Sequence, residues 1–227
     1  MIEVSMIAHE DTWLVVLNKP SGLNTEPDVA GNPNAMDMLQ AFLQERGPLP
    51  SNFKLGLPHR LDRLTSGVQL FTTRQQALAQ MGKQFENREV DKTYWALVEG
   101  DPGEGGILAQ WHHRMEGGYQ AVITHKKVPG AKEAILRWKR LQTKNGLSLC
   151  EVHPQTGRFH QIRAQFAAAG HPVVNDTRYG ATSVSDETIL GLHALQLDFK
   201  HPKDGMPLSV RVPVPGNALW TGWEVTM

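Results

Sequence analysis

Pro58-His59-Arg60-Leu61-Asp62-Arg63-Leu64-Thr65-Ser66-Gly67 sets one carboxylate, Asp62, between two guanidinium groups, Arg60 and Arg63. Pro58 and Gly67 punctuate a loop, and Val68-Gln69-Leu70-Phe71 beyond it reads as a strand. In an extended backbone successive side chains alternate, so Arg60 and Asp62 point one way and Leu61 the other. Leu61 then anchors the loop in the core, while the neighbouring cation keeps the carboxylate ionised. Such a carboxylate serves as a nucleophile or a base, and an Arg beside it serves phosphates or displaced bases. On spacing alone, a surface ion pair worth ~1 kcal/mol or less accounts for the same residues.

On the N-terminal side, the apolar run Trp13–Asn18 predicts a buried strand that ends at the Lys19-Pro20-Ser21-Gly22 turn. Residues 24–34 read as a surface loop, with Asn34 capping a helix over Ala35–Arg46 whose Met36, Leu39, Phe42 and Leu43 recur at helical spacing. On the C-terminal side, Arg74–Glu86 is a predicted helix with Leu78, Met81 and Phe85 on one side, and Thr93–Val98 a strand. Asp101–Gly106 reads as a turn. From Ile107 to Lys144 the pattern weakens, with strands at Tyr119–Thr124 and Glu133–Leu141 and turns at Gly117-Gly118 and Pro129-Gly130. Leu147–His153 is a strand leading to Thr156, the expected N-cap of a helix over Arg158–Ala169 that Gly170 stops. Strands at Leu192–Phe199 and Leu208–Val212 close the chain. Strands outnumber helices and short turns join many of them. The expectation is an α+β fold, a mixed, mostly antiparallel central sheet with packed helices, forming one domain over residues 1–227.

The 227 residues are 40% hydrophobic, with 7 Phe, 6 Trp and 3 Tyr, which is enough for a sizeable core. No apolar run approaches the ~18 residues a membrane helix needs, and residues 1–5 lack the basic and apolar regions of a signal peptide. A single cysteine, Cys150, excludes an internal disulfide framework, and its place in a predicted strand suggests a buried, inert thiol. A cytoplasmic protein is expected. The sequence has no Walker A loop, GxGxxG fingerprint or HExxH motif, and its ten histidines are dispersed. Net charge is zero, but residues 1–50 carry two bases against seven acids, whereas residues 126–144 carry seven bases against Glu133 alone. A local basic stripe of that kind can hold RNA even on a neutral protein, and a solvated basic strand without a partner fits the charge equally well.

Further stretches narrow the reading. They are Asn18-Lys19-Pro20-Ser21-Gly22-Leu23, Lys92-Thr93-Tyr94-Trp95-Ala96-Leu97-Val98-Glu99-Gly100, His153-Pro154-Gln155-Thr156-Gly157-Arg158-Phe159-His160-Gln161-Ile162-Arg163, Asp176-Thr177-Arg178-Tyr179-Gly180 and Leu192-His193-Ala194. Together with the Asp62 loop, and in this order over about residues 13–213, they resemble the RluA family of RNA pseudouridine synthases. The resemblance implies the catalytic domain alone, since no separate N-terminal RNA-binding domain precedes the first motif. It also implies conversion of a uridine in ribosomal RNA or tRNA to pseudouridine, with no cofactor or metal.

By the same resemblance Asp62 acts on the ribose, as nucleophile at C1′ or base at C2′. Tyr94 stacks on the uracil and Arg163 pairs with Asp62. Arg60 is the wedge that fills the place of the flipped base. Leu192 lines the floor under the uracil, and His160 and Gln161 support the substrate site. Lys19, Lys126, Lys127, Lys132, Lys139 and Arg140 are candidate phosphate contacts. Gln165 departs from the family, which commonly has a histidine two residues beyond the helix arginine. Two rival readings stay open, a catalytically silent RNA-binding protein of the same fold and a carboxylate glycosidase. The glycosidase lacks the second acid its chemistry needs. A monomer without an obligate protein partner is expected.

Overall fold

The computed structural model describes residues 2–114, 118–182 and 185–223. In chain order the elements are β1 (Ile7–Glu10), β2 (Leu14–Lys19), α1 (Ala35–Glu45), β3 (Ser66–Thr72), α2 (Gln75–Glu86), β4 (Asp91–Glu99) and β5 (Gly105–Arg114). They continue with β6 (Ala121–Thr124), β7 (Lys132–Lys144), β8 (Leu147–Pro154), α3 (Gln161–Ala168), β9 (Leu192–Lys200) and β10 (Pro207–Arg211). The fold is α+β with mostly antiparallel pairing, as the sequence predicts. The chain forms two compact units, Met1–Lys92 with Ala194–Pro215, and Thr93–His193 with Gly216–Met227. No helix among the described residues is long and apolar enough to cross a membrane.

In the first unit the strand order is β1-β2-β3-β9, with β10 on β9. Strand β2 is a continuous apolar run because both its faces are covered: Leu14, Val15, Val16 and Leu17 are all at most 1% exposed. Leu14 and Val16 join Val68, Leu70, Met81 and Leu197 on one face, while Val15 and Leu17 join Leu39, Leu43, Leu55 and Phe71 on the other. Each such side chain contributes about 1.5–3 kcal/mol on burial. Asn34 caps α1 as predicted, its side-chain oxygen accepting from Asp37 N at 2.9 Å.

The loop that carries Asp62 ends where β3 begins, and Gly67 is the reason β3 can lie there. Its φ is 113°, and a Cβ on it would stand 2.1 Å from the carbonyl oxygen of Ala194. Both the backbone angle and the close approach require glycine. Gly67→Ala should therefore lower stability by about 2–3 kcal/mol. The measurement is the urea midpoint, and an unchanged midpoint would disprove the close approach.

In the second unit the order is β4-β8-β7-β5-β6, and the pairings β4·β8, β7·β8, β5·β7 and β5·β6 are antiparallel. Ala134, Leu136 and Trp138 of β7 share one face, the first two fully buried, and Phe166 of α3 meets Trp138 edge-on at 5.8 Å. Cys150 is fully buried in β8, and burial pushes its thiol up to about 12.

Three expectations change. Strand β5 occupies what reads as a turn and a weak stretch, because its apolar residues alternate poorly and much of it is exposed. Strand β1, four residues of half-exposed alternation, carries too short a signal to stand out. Helix α3 starts at Gln161 rather than Arg158, and Thr156 is not its cap. The Thr156 hydroxyl donates to Gln161 Oε1 at 2.8 Å, and the residue before the helix, His160, is left-handed at φ 52°. Gly170 ends the helix as expected, at φ 86°. Of the predicted Gly117-Gly118 turn, Gly117 lies outside the described residues.

Candidate active site

In the first unit, the Asp62 loop is held by its carbonyls. Thr25 Oγ1 donates to Leu61 O at 2.8 Å, Ser21 Oγ to Leu64 O at 2.6 Å, and Gly22 N to Arg63 O at 2.9 Å. Gln69 of β3 accepts from Leu61 N at 3.0 Å and donates to His59 O at 2.9 Å. Thr65 N donates to Asp62 O at 3.0 Å, so a tight turn begins at the carboxylate residue. Leu61 is 6% exposed and anchors the loop as expected. Every one of these bonds uses backbone atoms of the loop. These bonds fix the backbone on both sides of Asp62, whose side chain is partly buried.

Lys19 completes that frame. It is fully buried, and its Nζ donates to Pro20 O, Leu23 O and Arg63 O at 3.1, 2.8 and 3.2 Å. Burial lowers its pKa to about 7, against the opposing pull of the Asp62 charge. The assignment of Lys19 to RNA phosphate is therefore corrected: an enclosed ammonium bound to three carbonyls has no surface to offer a phosphate. Arg60, by contrast, is exposed and pairs with Glu26 at 2.8 Å.

His59 is stacked on Phe85 with centroids 4.8 Å apart, and its Nε2 accepts from Leu70 N at 3.0 Å. Burial, with a smaller contribution from the Lys92 charge, lowers its pKa to about 3. Between pH 6.5 and 3 the unfolded chain takes up a proton here that the folded chain refuses, so this residue makes stability fall as pH falls through that window. Gln can still accept from Leu70 N but does not titrate. The stability advantage of the native protein over His59→Gln should shrink from pH 7 to pH 4 in urea titrations, and a constant difference would refute the assignment.

In the second unit, α3 carries Arg163 inward. Residues Gln161 to Phe166 are all buried, and Arg163 is 4% exposed. Its Nε and Nη2 bind Asp176 Oδ2 and Oδ1 at 2.6 and 2.8 Å, a two-pronged pair with Asp176 at 1% exposure. The ring of Tyr179 lies 5.2 Å from the guanidinium carbon. This is a buried, fixed cation and not a surface ion pair.

Tyr94 is partly buried on β4, opposite Val152 of β8. Leu192 is 3% exposed at the start of β9, just after Gly191, whose backbone bonds both Leu97 and Val174. The His160 ring is partly buried between Phe159, stacked at 3.7 Å, and Tyr179. Burial and then the charge of Arg163 lower its pKa to about 3, so it is neutral at physiological pH. Gln161 is corrected from substrate support to structural pin. It accepts from Thr156 Oγ1 and Arg158 N and donates to Ile135 O and Gln165 Oε1.

With this geometry in hand, comparison with known proteins gives a consistent answer. Residues 13–168 match the RNA pseudouridylate synthase family. This chain belongs to the RluA-type RNA pseudouridine synthases, a family of isomerases. It is 34% identical over 218 residues to the dual-specificity RNA pseudouridine synthase RluA of Vibrio vulnificus, covering 91% of this chain and 82% of that protein. It is 32% identical over 215 residues to the ribosomal large subunit pseudouridine synthase C of the same organism, covering 92% and 65%. An uncharacterized RNA pseudouridine synthase of Synechocystis is 30% identical, and the chain spans 66% of its length. The solved human RNA pseudouridylate synthase domain containing 1 shares the fold at a TM-score of 0.70 and 26% identity, over 91% of this chain and 82% of that one.

For a pseudouridine synthase the departure at Gln165 now has a structural account. Gln165 is fully buried, and its amide nitrogen lies 3.1–3.2 Å from Leu108 O, Gln110 Oε1 and Ala134 O. It fastens α3 to β5 and β7. Asp176 is the residue that sequence reasoning left without a role, although it heads a matched motif; an acid in such a motif with no assigned partner was the available signal.

The basic stretch does not form a single stripe. Lys126 and Lys127 are exposed between β6 and β7, with Lys127 over the Trp111 ring at 5.1 Å. On β7, Lys132 and Arg140 fall on the parity of Ala134 and Leu136, whereas Lys139 falls on the other face. Arg140 is engaged by Asp101.

Proposed function

We propose that the protein, acting as one catalytic domain, isomerises a particular uridine of structured ribosomal RNA or tRNA to pseudouridine. Asp62 acts on the ribose, Tyr94 takes the uracil face, Leu192 the floor beneath it, and Arg163 is the guanidinium paired with the carboxylate. The N1–C1′ glycosidic bond of the uridine breaks, the uracil turns, and C5 bonds to C1′, with one proton lost from C5 and one gained at N1. Atoms are exchanged within one nucleotide, so no cofactor is consumed.

The observation that supports this reading most is the backbone clamp on residues 61–64, which holds the loop that carries the carboxylate in one conformation. Arg60 suits the wedge role, since its one described ion pair is a surface contact worth ~1 kcal/mol or less and is cheap to exchange for a base stack. Lys126, Lys127, Lys132, Lys139 and Arg140 remain the candidate phosphate contacts, with His160 a neutral neighbour of Arg163. The protein works as a cytoplasmic monomer.

The test is tritium release from C5-labelled uridine in ribosomal RNA and tRNA transcripts, followed by mapping of the modified position. Release supports the synthase. RNA binding with no release from any transcript would establish the silent binder in its place.

A further inference from the structure

The hairpin formed by β5 and β6 is fastened to the segment that supports Arg163. Tyr179 Oη accepts a hydrogen bond from Ala121 N, the first residue of β6, at 2.8 Å. It also lies 3.0 Å from His160 Nδ1. The hydroxyl is therefore held from two sides, by a backbone N–H of β6 and by the His160 ring, whose tautomer decides which of the two donates. The same Tyr179 ring lies under the Arg163 guanidinium, whose Nε and Nη2 are taken by Asp176 three residues earlier.

Other contacts close the latch around it. Gln120 Nε2 donates to Arg178 O, and Arg178 Nη1 donates to Tyr119 O at 2.7 Å. Arg114, at the end of β5, lies over the Phe159 ring at 4.4 Å, and His112 Nε2 donates to Phe159 O at 2.8 Å.

We propose that Tyr179 is a positioning residue for the pseudouridine reaction, its hydroxyl tying the β5–β6 hairpin to the ring that sets the direction of Arg163. The inference rests on Arg163 serving in catalysis as proposed above. Removing the hydroxyl frees the ring to tilt, and Arg163, still bound to Asp176, turns about that pair. An arginine that must meet a reacting carboxylate in one geometry loses rate on a small rotation. RNA affinity is a separate property, since the hydroxyl is committed to Ala121 and His160.

The experiment uses the full chain and single-turnover kinetics on a transcript the native protein modifies. Tyr179→Phe should stay folded, with a melting temperature lowered by a few degrees for the lost hydroxyl bonds, and keep its RNA dissociation constant while the rate constant falls about tenfold. Ala121→Pro removes the donor at the other end of the same bond, and the double variant should be no slower than the slower single. Native-like rate in Tyr179→Phe overturns the proposal. So does a rate loss matched by an equal loss of RNA affinity, or additive losses in the double variant. Asp62→Asn in the same assay separates the two levels of inference. If that variant retains activity, the reading of the active site fails. If it is silent while Tyr179→Phe runs at the native rate, only the role of Tyr179 is lost.

Discussion

Asp62→Asn should abolish pseudouridine formation while leaving the fold and RNA binding intact. Asn has the size and shape of Asp but is neither a nucleophile nor a base at neutral pH, so both candidate roles of the carboxylate disappear together. Loss of a group that forms or breaks bonds costs about 10⁴-fold or more in rate. The loop itself should not move, because Thr25, Ser21, Gly22 and Gln69 hold it through Leu61, Arg63, Leu64 and His59 backbone atoms. Tritium release falling to background, with native melting temperature and native RNA affinity, is the expected result. Surviving release would remove Asp62 from the mechanism, and loss of the fold would make it a structural residue.

Asp176→Ala should damage stability and activity at once. It strips a two-pronged carboxylate from a guanidinium that is 4% exposed. Breaking a buried pair from one side costs about 3–5 kcal/mol, far more than the pair contributes relative to an apolar replacement. For a chain of this size that is roughly 6–20 °C in melting temperature. Asp176→Asn keeps one acceptor for Arg163 and should fall between the two. A melting temperature within ~2 °C of native for the Ala variant would mean that Arg163 is not held by this pair.

What was legible in the sequence follows from what periodicity can carry. Strand β2 stood out as an unbroken apolar run buried on both faces, and helices α1 and α2 because apolar residues recur at helical spacing around the buried Leu39, Leu43 and Met81. Helix α3 misled at its start because Thr156, a good cap by type, spends its hydroxyl on a side chain, and a left-handed His160 has no sequence mark of its own. Strand β5 was hidden by its exposure.

At the candidate site, ordered motifs singled out Asp62 and Arg163 where charge spacing alone favoured a surface pair. Lys19 went wrong for an instructive reason: composition counts a lysine as surface charge, and only the three carbonyls around its Nζ reveal a structural cation. Asp176 carried a motif but no assigned partner until the chain was folded.

The contacts that moor α3 to its sheet come from Gln161, Gln165, Gln110 and Thr156, three carboxamides and a hydroxyl. None of these gains or sheds a proton in water at ordinary acidity. Acid or base in the medium therefore leaves those particular bonds unaltered, and any loosening of the molecule with pH would come from other buried groups, His59 among them.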